Sequence, residues 1–209
     1  MKGLLLKDLY MMRKYCRSYL LIAVVFIALS FASNQNLFFV FYPCLLCGMI
    51  PVNLLGYDER SRWLQYSGTM PYTRAQIVSC KYLIGLGVQV TMLLVTGIAQ
   101  AIRMSIDGTF RFDEYIMLMM MLLIIASITS SITLPLVFKL GVEKGRIANY
   151  IVLGIVCAGS VIASGLFIKD MQTQIKLNGV LPIICFVGVG IYVLSWYLSI
   201  VFYQKREII

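Results

Sequence analysis

The residues best equipped for chemistry lie in one polar interval, Tyr57 to Tyr82 (YDERSRWLQYSGTMPYTRAQIVSCKY), the longest between the long apolar runs of this 209-residue chain. Asp58, Glu59, Arg60, Arg62, Trp63 and Tyr66 offer recognition more than bond-making: charges of both signs beside two large aromatics three positions apart on a short helix. Catalysis is poorly provided for. There is no histidine, and no carboxylate pair or ionisable residue sits deep in an apolar run, so metal hydrolysis, acid-pair proteolysis and most proton relays lack their groups. Gly141 to Arg146 lacks the spacing and the Lys-Ser/Thr end of a phosphate loop, so any ATP, with its Mg, is handled by another chain. Cys44 and Cys47 have the spacing of a redox or metal motif. Without further ligands nearby they read as small buried hydrophobes, so the chain is expected to hold no metal or cofactor and to be no enzyme.

The elements that must position the polar interval are apolar. Hydrophobic residues make up 60% of the chain and charged ones 13%, too little polar surface to cover a soluble globule. Six apolar runs approach the length of a membrane span, at about Tyr19 to Ala32, Leu37 to Leu55, Tyr82 to Ile102, Tyr115 to Leu140, Ile147 to Ile168 and Val180 to Tyr203. The expected fold is therefore an all-α integral membrane protein with six transmembrane helices, one domain over residues 1–209. The first span is short and borrows Tyr15 to Ser18, and Ser33 to Asn36 form a tight turn to the second.

Met1 to Arg17 predict an amphipathic helix lying along an anionic lipid surface, with Lys2, Lys7, Arg13, Lys14 and Arg17 on one arc and Leu4, Leu5, Leu9, Met11, Met12 and Tyr15 on the other. Asp8 falls on the apolar side, either to meet a basic group of a partner or, as the preferred expectation, to reach water. The formal net charge of +9 would suggest nucleic acid in a soluble protein; here it is spent on topology and no nucleic-acid partner is expected. One side of the six-span layout holds Lys2, Lys7, Arg13, Lys14, Arg17, Arg60, Arg62, Arg74, Lys81, Lys139, Lys144, Arg146, Lys205 and Arg206, against Arg103, Arg111, Lys169 and Lys176 on the other. Both termini and the 57–82 loop are thus placed in the cytoplasm of a multi-pass membrane protein.

Within the interval, Asp58 to Tyr66 read as the short helix, ended by Gly68 and Pro71. Thr73 and Gln76 have the form of a capping box, with Tyr72 and Ile77 placed as a hydrophobic staple, so a second helix starts at Thr73 and runs into the bilayer. Composition alone leaves two readings of Trp63 and Tyr66, an interfacial anchor or a surface gripped by a soluble partner.

Lys2 to Leu9, Asp58 to Ser61 with Trp63 and Tyr66, Pro71, Arg74, Ile77, Val78 and Lys81 to Leu83 together resemble the small permease subunits of ABC-2 type ATP-binding cassette transporters, in the bacterial group that includes bacitracin-resistance and phenol-soluble modulin exporters. The resemblance implies that the first cytoplasmic loop is a coupling helix seated in a groove of an ATPase subunit, with Asp58, Glu59, Arg60, Arg62, Trp63 and Tyr66 as the contact. It also implies a second permease copy or paralogue and a bacterial cell membrane. The function expected is export of a peptide or other amphipathic compound; the alternative is a non-transporting immunity or sensor protein that binds a toxic peptide. In the fourth span Ser127, Ser130 and Ser131 precede Pro135, where hydroxyls either line a wet pathway or, the favoured expectation, bond back to a backbone disturbed by the proline.

Overall fold

The computed structural model describes residues 2–32, 37–67, 69, 72–108, 111–147, 150–151 and 177–205. Among them every regular element is a helix: α1 Lys2–Tyr15, α2 Arg17–Ala32, α3 Leu37–Gly48, α4 Ile50–Arg60, α5 Trp63–Ser67, α6 Arg74–Ile106, α7 Phe112–Leu140 and α8 Leu177–Lys205, with a short helical segment at 142–147.

The longest helix, α6, shows what solvent the fold is built for. Its outward face carries Leu83, Leu86, Val90, Leu94, Ile98, Ile102 and Ile106 at helical spacing, all exposed, while Gln89, Thr96 and Gln100 are buried. Polar groups turned inward and apolar groups outward invert the soluble pattern and fit a hydrocarbon surround. The inward groups are satisfied: Gln89 Nε2 donates to Ala126 O and Ser130 Oγ, both at 2.7 Å, and Gln100 Nε2 donates to Ser30 Oγ at 3.3 Å.

Four helices are long and apolar enough to cross a membrane, Phe39–Arg60, Arg74–Ile106, Phe112–Leu140 and Ile184–Lys205. Lys2–Tyr15 with Arg17–Phe31 make a fifth if that pair, bent by 64°, is one span. Six were expected; the run from Ile147 to Ile168 and the turn Ser33 to Asn36 lie largely or wholly outside the described residues. The bend at Cys16 also separates Tyr15, which ends α1, from α2, so only Arg17 and Ser18 extend the first apolar run. A second break, at Met49 between α3 and α4, has a local cause. Pro51 stands at the start of α4 with no N–H to give residue 47, and a proline there begins a helix more readily than it continues one.

α7 runs along α8, α2 packs on α3, and α6 lies against α3, α7 and α8. One large core cluster joins α1, α4, α6, α7 and α8 through Leu4, Leu54, Val78, Tyr82, Phe138 and Tyr203; a smaller one holds Val40, Cys44 and Leu122. Cys44 and Cys47 are both buried free thiols, and Cys47 belongs to the large cluster while Cys44 belongs to the small one, so each packs as a hydrophobe in its own surroundings.

Pro135 interrupts the hydrogen-bond ladder of α7, because it cannot donate to the Ser131 carbonyl four residues before it. α8 supplies the missing donor: Ser195 Oγ donates to Ser131 O at 2.8 Å. Ser195→Ala is therefore expected to destabilise the protein by about 1–3 kcal/mol by stranding a buried carbonyl. Adding Pro135→Ala restores the helical N–H and should recover most of that loss, as read from thermal unfolding in detergent. Failure of the second substitution to recover any stability would disprove the exchange of donors.

Candidate functional site

Residues 58–66 fold differently from the single short helix their composition suggests. Asp58, Glu59 and Arg60 form the last turn of α4, Ser61 and Arg62 make a turn, and α5 is one turn of helix beginning at Trp63. Arg62 adopts φ 53°, a left-handed conformation uncommon for a residue other than glycine, and this is what sends the chain off the α4 axis. Ser61 Oγ closes the end of α4 by donating to Asp58 O at 3.3 Å. Gly68 and Pro71, the expected terminators of the short helix, lie outside the described residues.

The re-entry forms as its local sequence dictates. Thr73 Oγ1 accepts from the Gln76 N–H at 3.3 Å and Gln76 Oε1 accepts from the Thr73 N–H at 3.2 Å, a complete capping box that starts α6 at Arg74. Ile77 is buried in the large cluster and Tyr72 packs against the same cluster, as a staple requires. Arg74 Nη1 donates to Gln204 O at 2.8 Å, tying the start of α6 to the end of α8.

The six expected contact residues divide by exposure. Arg60 and Arg62 are exposed, and Tyr66 is 57% exposed, with its ring 5.6 Å from that of Trp63. Trp63 itself is half-buried: it packs against the large cluster and lies beneath Lys7 Nζ, 4.2 Å from its ring centroid. Glu59 is half-buried too, its Oε2 accepting the Val142 N–H at 3.1 Å and so joining the end of α4 to the segment after α7.

Asp58 has to be corrected as a partner contact. It is 1% exposed and closes a ring of alternating charges with Lys7, Asp8 and Lys81. Lys7 Nζ lies 2.6 Å from Asp58 Oδ1 and 3.3 Å from Asp8 Oδ1; Lys81 Nζ lies 2.6 Å from Asp58 Oδ2 and 2.7 Å from Asp8 Oδ2. The Lys81 contacts are ion pairs by distance and do not follow hydrogen-bond directions. The same ring overturns a further expectation, since Asp8 does not reach water. Lys81, just before the expected third span, is buried near the start of α6. Asp8's place on the apolar arc of α1 was a signal of this, since a carboxylate among apolar neighbours needs a cation to face it.

An open cavity of about 560 Å³ lies between the end of α4 and the segment after α7, lined by Asn53, Tyr57, Glu59, Arg60, Lys144 and Arg146 among others. Arg146 Nη2 crosses it to donate to Asn53 Oδ1 at 2.8 Å. The segment lies flat on α7 because Gly145 has no side chain: a Cβ there would stand 2.7 Å from Val137 Cα.

The serines of α7 are engaged inside the protein. Ser131 Oγ donates back to Ser127 O at 2.7 Å within α7, and Ser130 Oγ accepts from Gln89 of α6 at 2.7 Å. Ser130 and Ser131 are buried and Ser127 is half-buried.

No curated protein and no solved structure matches the chain. A family model described as ABC-2 family transporter protein matches residues 3–204. Permeases of that family are typically the non-catalytic membrane component and normally work with ATPase subunits. With several helices that can cross a membrane and a match over nearly its whole length, the chain belongs to the ABC-2 transporter family.

Proposed function

We propose that the chain is the permease subunit of an ATP-binding cassette exporter, and that α5 with its flanking residues seats on the ATPase subunit. The observation that carries the proposal is the position of α5: one turn of helix between the ends of α4 and α6, with Tyr66, Arg60 and Arg62 exposed and Trp63 propping it from behind. Closure of two ATPase subunits would push α5, and the attached α4 and α6 would tilt to alternate access to the pathway. The cargo is a peptide or other amphipathic compound, and a second copy or paralogue completes the pathway, as in the bacterial permeases the sequence resembles. ATP and Mg belong to the ATPase.

Tyr66→Ala is expected to cost about 2 kcal/mol or more of ATPase binding, roughly thirtyfold in affinity, while leaving the permease inserted. Trp63→Ala should lose binding and also lower thermal stability, because Trp63 packs on the protein's own core. The measurement is co-purification of the ATPase with each variant, with substrate-stimulated ATP hydrolysis in the reconstituted complex. Wild-type binding by Tyr66→Ala would remove α5 as the seat, and absence of any ATPase from the native complex would favour an immunity or sensor role.

The excess of Lys and Arg at the α5 end supports a cytoplasmic position for that end. In intact cells a cysteine at Asp107 should react with an impermeant thiol reagent and one at Lys144 should not; the reverse pattern would invert the orientation.

A further inference from the structure

The cavity between the end of α4 and the segment after α7 gathers three cations, Arg60, Lys144 and Arg146. Among the described residues none of the three has a carboxylate within ion-pair distance. Arg146 is the one built into the protein. Its Nη2 donates to Asn53 Oδ1 at 2.8 Å, and it lies so close to Gly56 that a Cβ there would stand 3.1 Å from the same nitrogen. A guanidinium carries more donors than that one bond uses, and Asn53 is its single hydrogen-bond partner among the described residues. Two carboxylates share the lining: Glu59, whose Oε2 is taken by the Val142 N–H, and Glu143, which is exposed. The cations outnumber them, so the cavity keeps a positive surplus that the chain itself leaves without a counter-charge.

We propose that this cavity binds a phosphate group, offered by the headgroup of an anionic phospholipid, with the free edge of the Arg146 guanidinium as its main ligand and Lys144 and Arg60 as its counter-charges. The place in the membrane argues for lipid. Arg60 and Leu140, which both line the cavity, are the last residues of two membrane-length helices, so the cations stand where a span gives way to the headgroup layer. Tyr19 and Tyr57 line it too, the latter stacked on Tyr15 with ring centroids 4.4 Å apart, and tyrosines collect at that same depth. The size argues for more than a bare anion. A volume of about 560 Å³ has room for a glycerophosphate, whose hydroxyls can donate to Glu143 while its phosphate meets the cations. Planar, bidentate binding of phosphate is what a guanidinium does better than an ammonium. A phosphate held there bridges α4 to the segment after α7, whether or not an ATPase is bound.

The test titrates the full-length protein, purified in a neutral detergent, with short-chain phosphatidylglycerol, with phosphatidylcholine of the same chain length, and with inorganic phosphate. Binding is read directly with radiolabelled lipid and as the rise in unfolding temperature that a ligand of the folded state produces. Phosphatidylglycerol should bind saturably, and phosphatidylcholine, whose own ammonium offsets its phosphate, roughly tenfold more weakly or less. Arg146→Gln should weaken phosphatidylglycerol roughly tenfold through loss of charge-assisted bonds, and Lys144→Gln roughly threefold through loss of charge alone. Lys144 is exposed, so its substitution keeps the test decisive if Arg146→Gln does not fold. Arg60 is left in place because the ATPase contact also draws on it. Displacement of phosphatidylglycerol by an equal concentration of inorganic phosphate would leave the phosphate site standing and overturn the lipid as its source; no displacement supports the headgroup. Equal affinity for the two lipids, or phosphatidylglycerol binding unchanged in both variants, would reduce the cavity to ordinary contact with the lipid belt and overturn the proposal.

Discussion

Lys81→Met is expected to destabilise the protein by about 3–5 kcal/mol, the usual consequence of removing one partner from a buried ion pair. The reason lies in what remains. Two carboxylates, each almost fully buried, would share the single ammonium of Lys7, itself partly open to solvent. The methionine fits the volume of the lysine stem, so packing is nearly conserved and the loss is electrostatic. Adding Asp58→Asn removes the surplus negative charge and leaves Lys7 with Asp8, so the double variant should regain most of the stability lost by the single one. Thermal unfolding in detergent, with the fraction of monodisperse protein as a second reading, checks both. If Lys81→Met unfolds at the wild-type temperature, the ring contributes nothing by its charge.

Tyr82→Ala should cost about as much, roughly 3–5 kcal/mol, through lost packing. Tyr82 is fully buried, stacks on Trp196 with ring centroids 5.5 Å apart, and meets the edge of Tyr192 at the same distance. In a lipid surround, helix association depends on close packing and interhelical bonds more than on escape from water, so an aromatic knot between α6 and α8 carries unusual weight. Its hydroxyl lies 2.6 Å from Ser199 Oγ and 2.8 Å from Ser195 Oγ, while Tyr192 donates back to the Tyr82 carbonyl at 3.0 Å. Tyr82→Phe keeps the stack and the Tyr192 bond to the carbonyl and drops only the bonds of the hydroxyl, for a loss of about 1 kcal/mol. The two substitutions separate packing from hydrogen bonding when their unfolding temperatures are compared; equal losses would assign the whole effect to the hydroxyl.

What the sequence disclosed and what it hid follow from the range of the interactions. The capping box at Thr73 and Gln76 was legible because both partners lie within four residues, and the start of α6 followed from it. The apolar runs disclosed the membrane class, since lipid sorts residues by composition and needs no knowledge of neighbours. The break at Ser61–Arg62 was hidden, because an arginine at positive φ leaves no compositional trace and the charge pattern across it reads as one helix. The inward turn of Asp58 was hidden for another reason: its partners, Lys7 and Lys81, are distant in sequence, and only the fold sets them beside it. Tyr66 was legible as an exposed aromatic. Trp63, three residues earlier with the same pattern, could not be told from it until α1 was seen to cover its ring.

The length of α6 has a geometric consequence. At a rise of about 1.5 Å per residue, its 33 residues make a rod of about 50 Å. A bilayer's hydrocarbon is about 30 Å thick, so roughly 20 Å of rod is left over to stand outside it or to be taken up by tilt. Such a rod is an amplifier. Pivoting by about 10° around its middle, a change of tilt well within the range membrane helices adopt, would sweep the Arg74 end sideways by roughly 4 Å. An ångström-scale displacement beside α5 and a small rotation deep among the spans are therefore the same event seen from the two ends of one rigid helix.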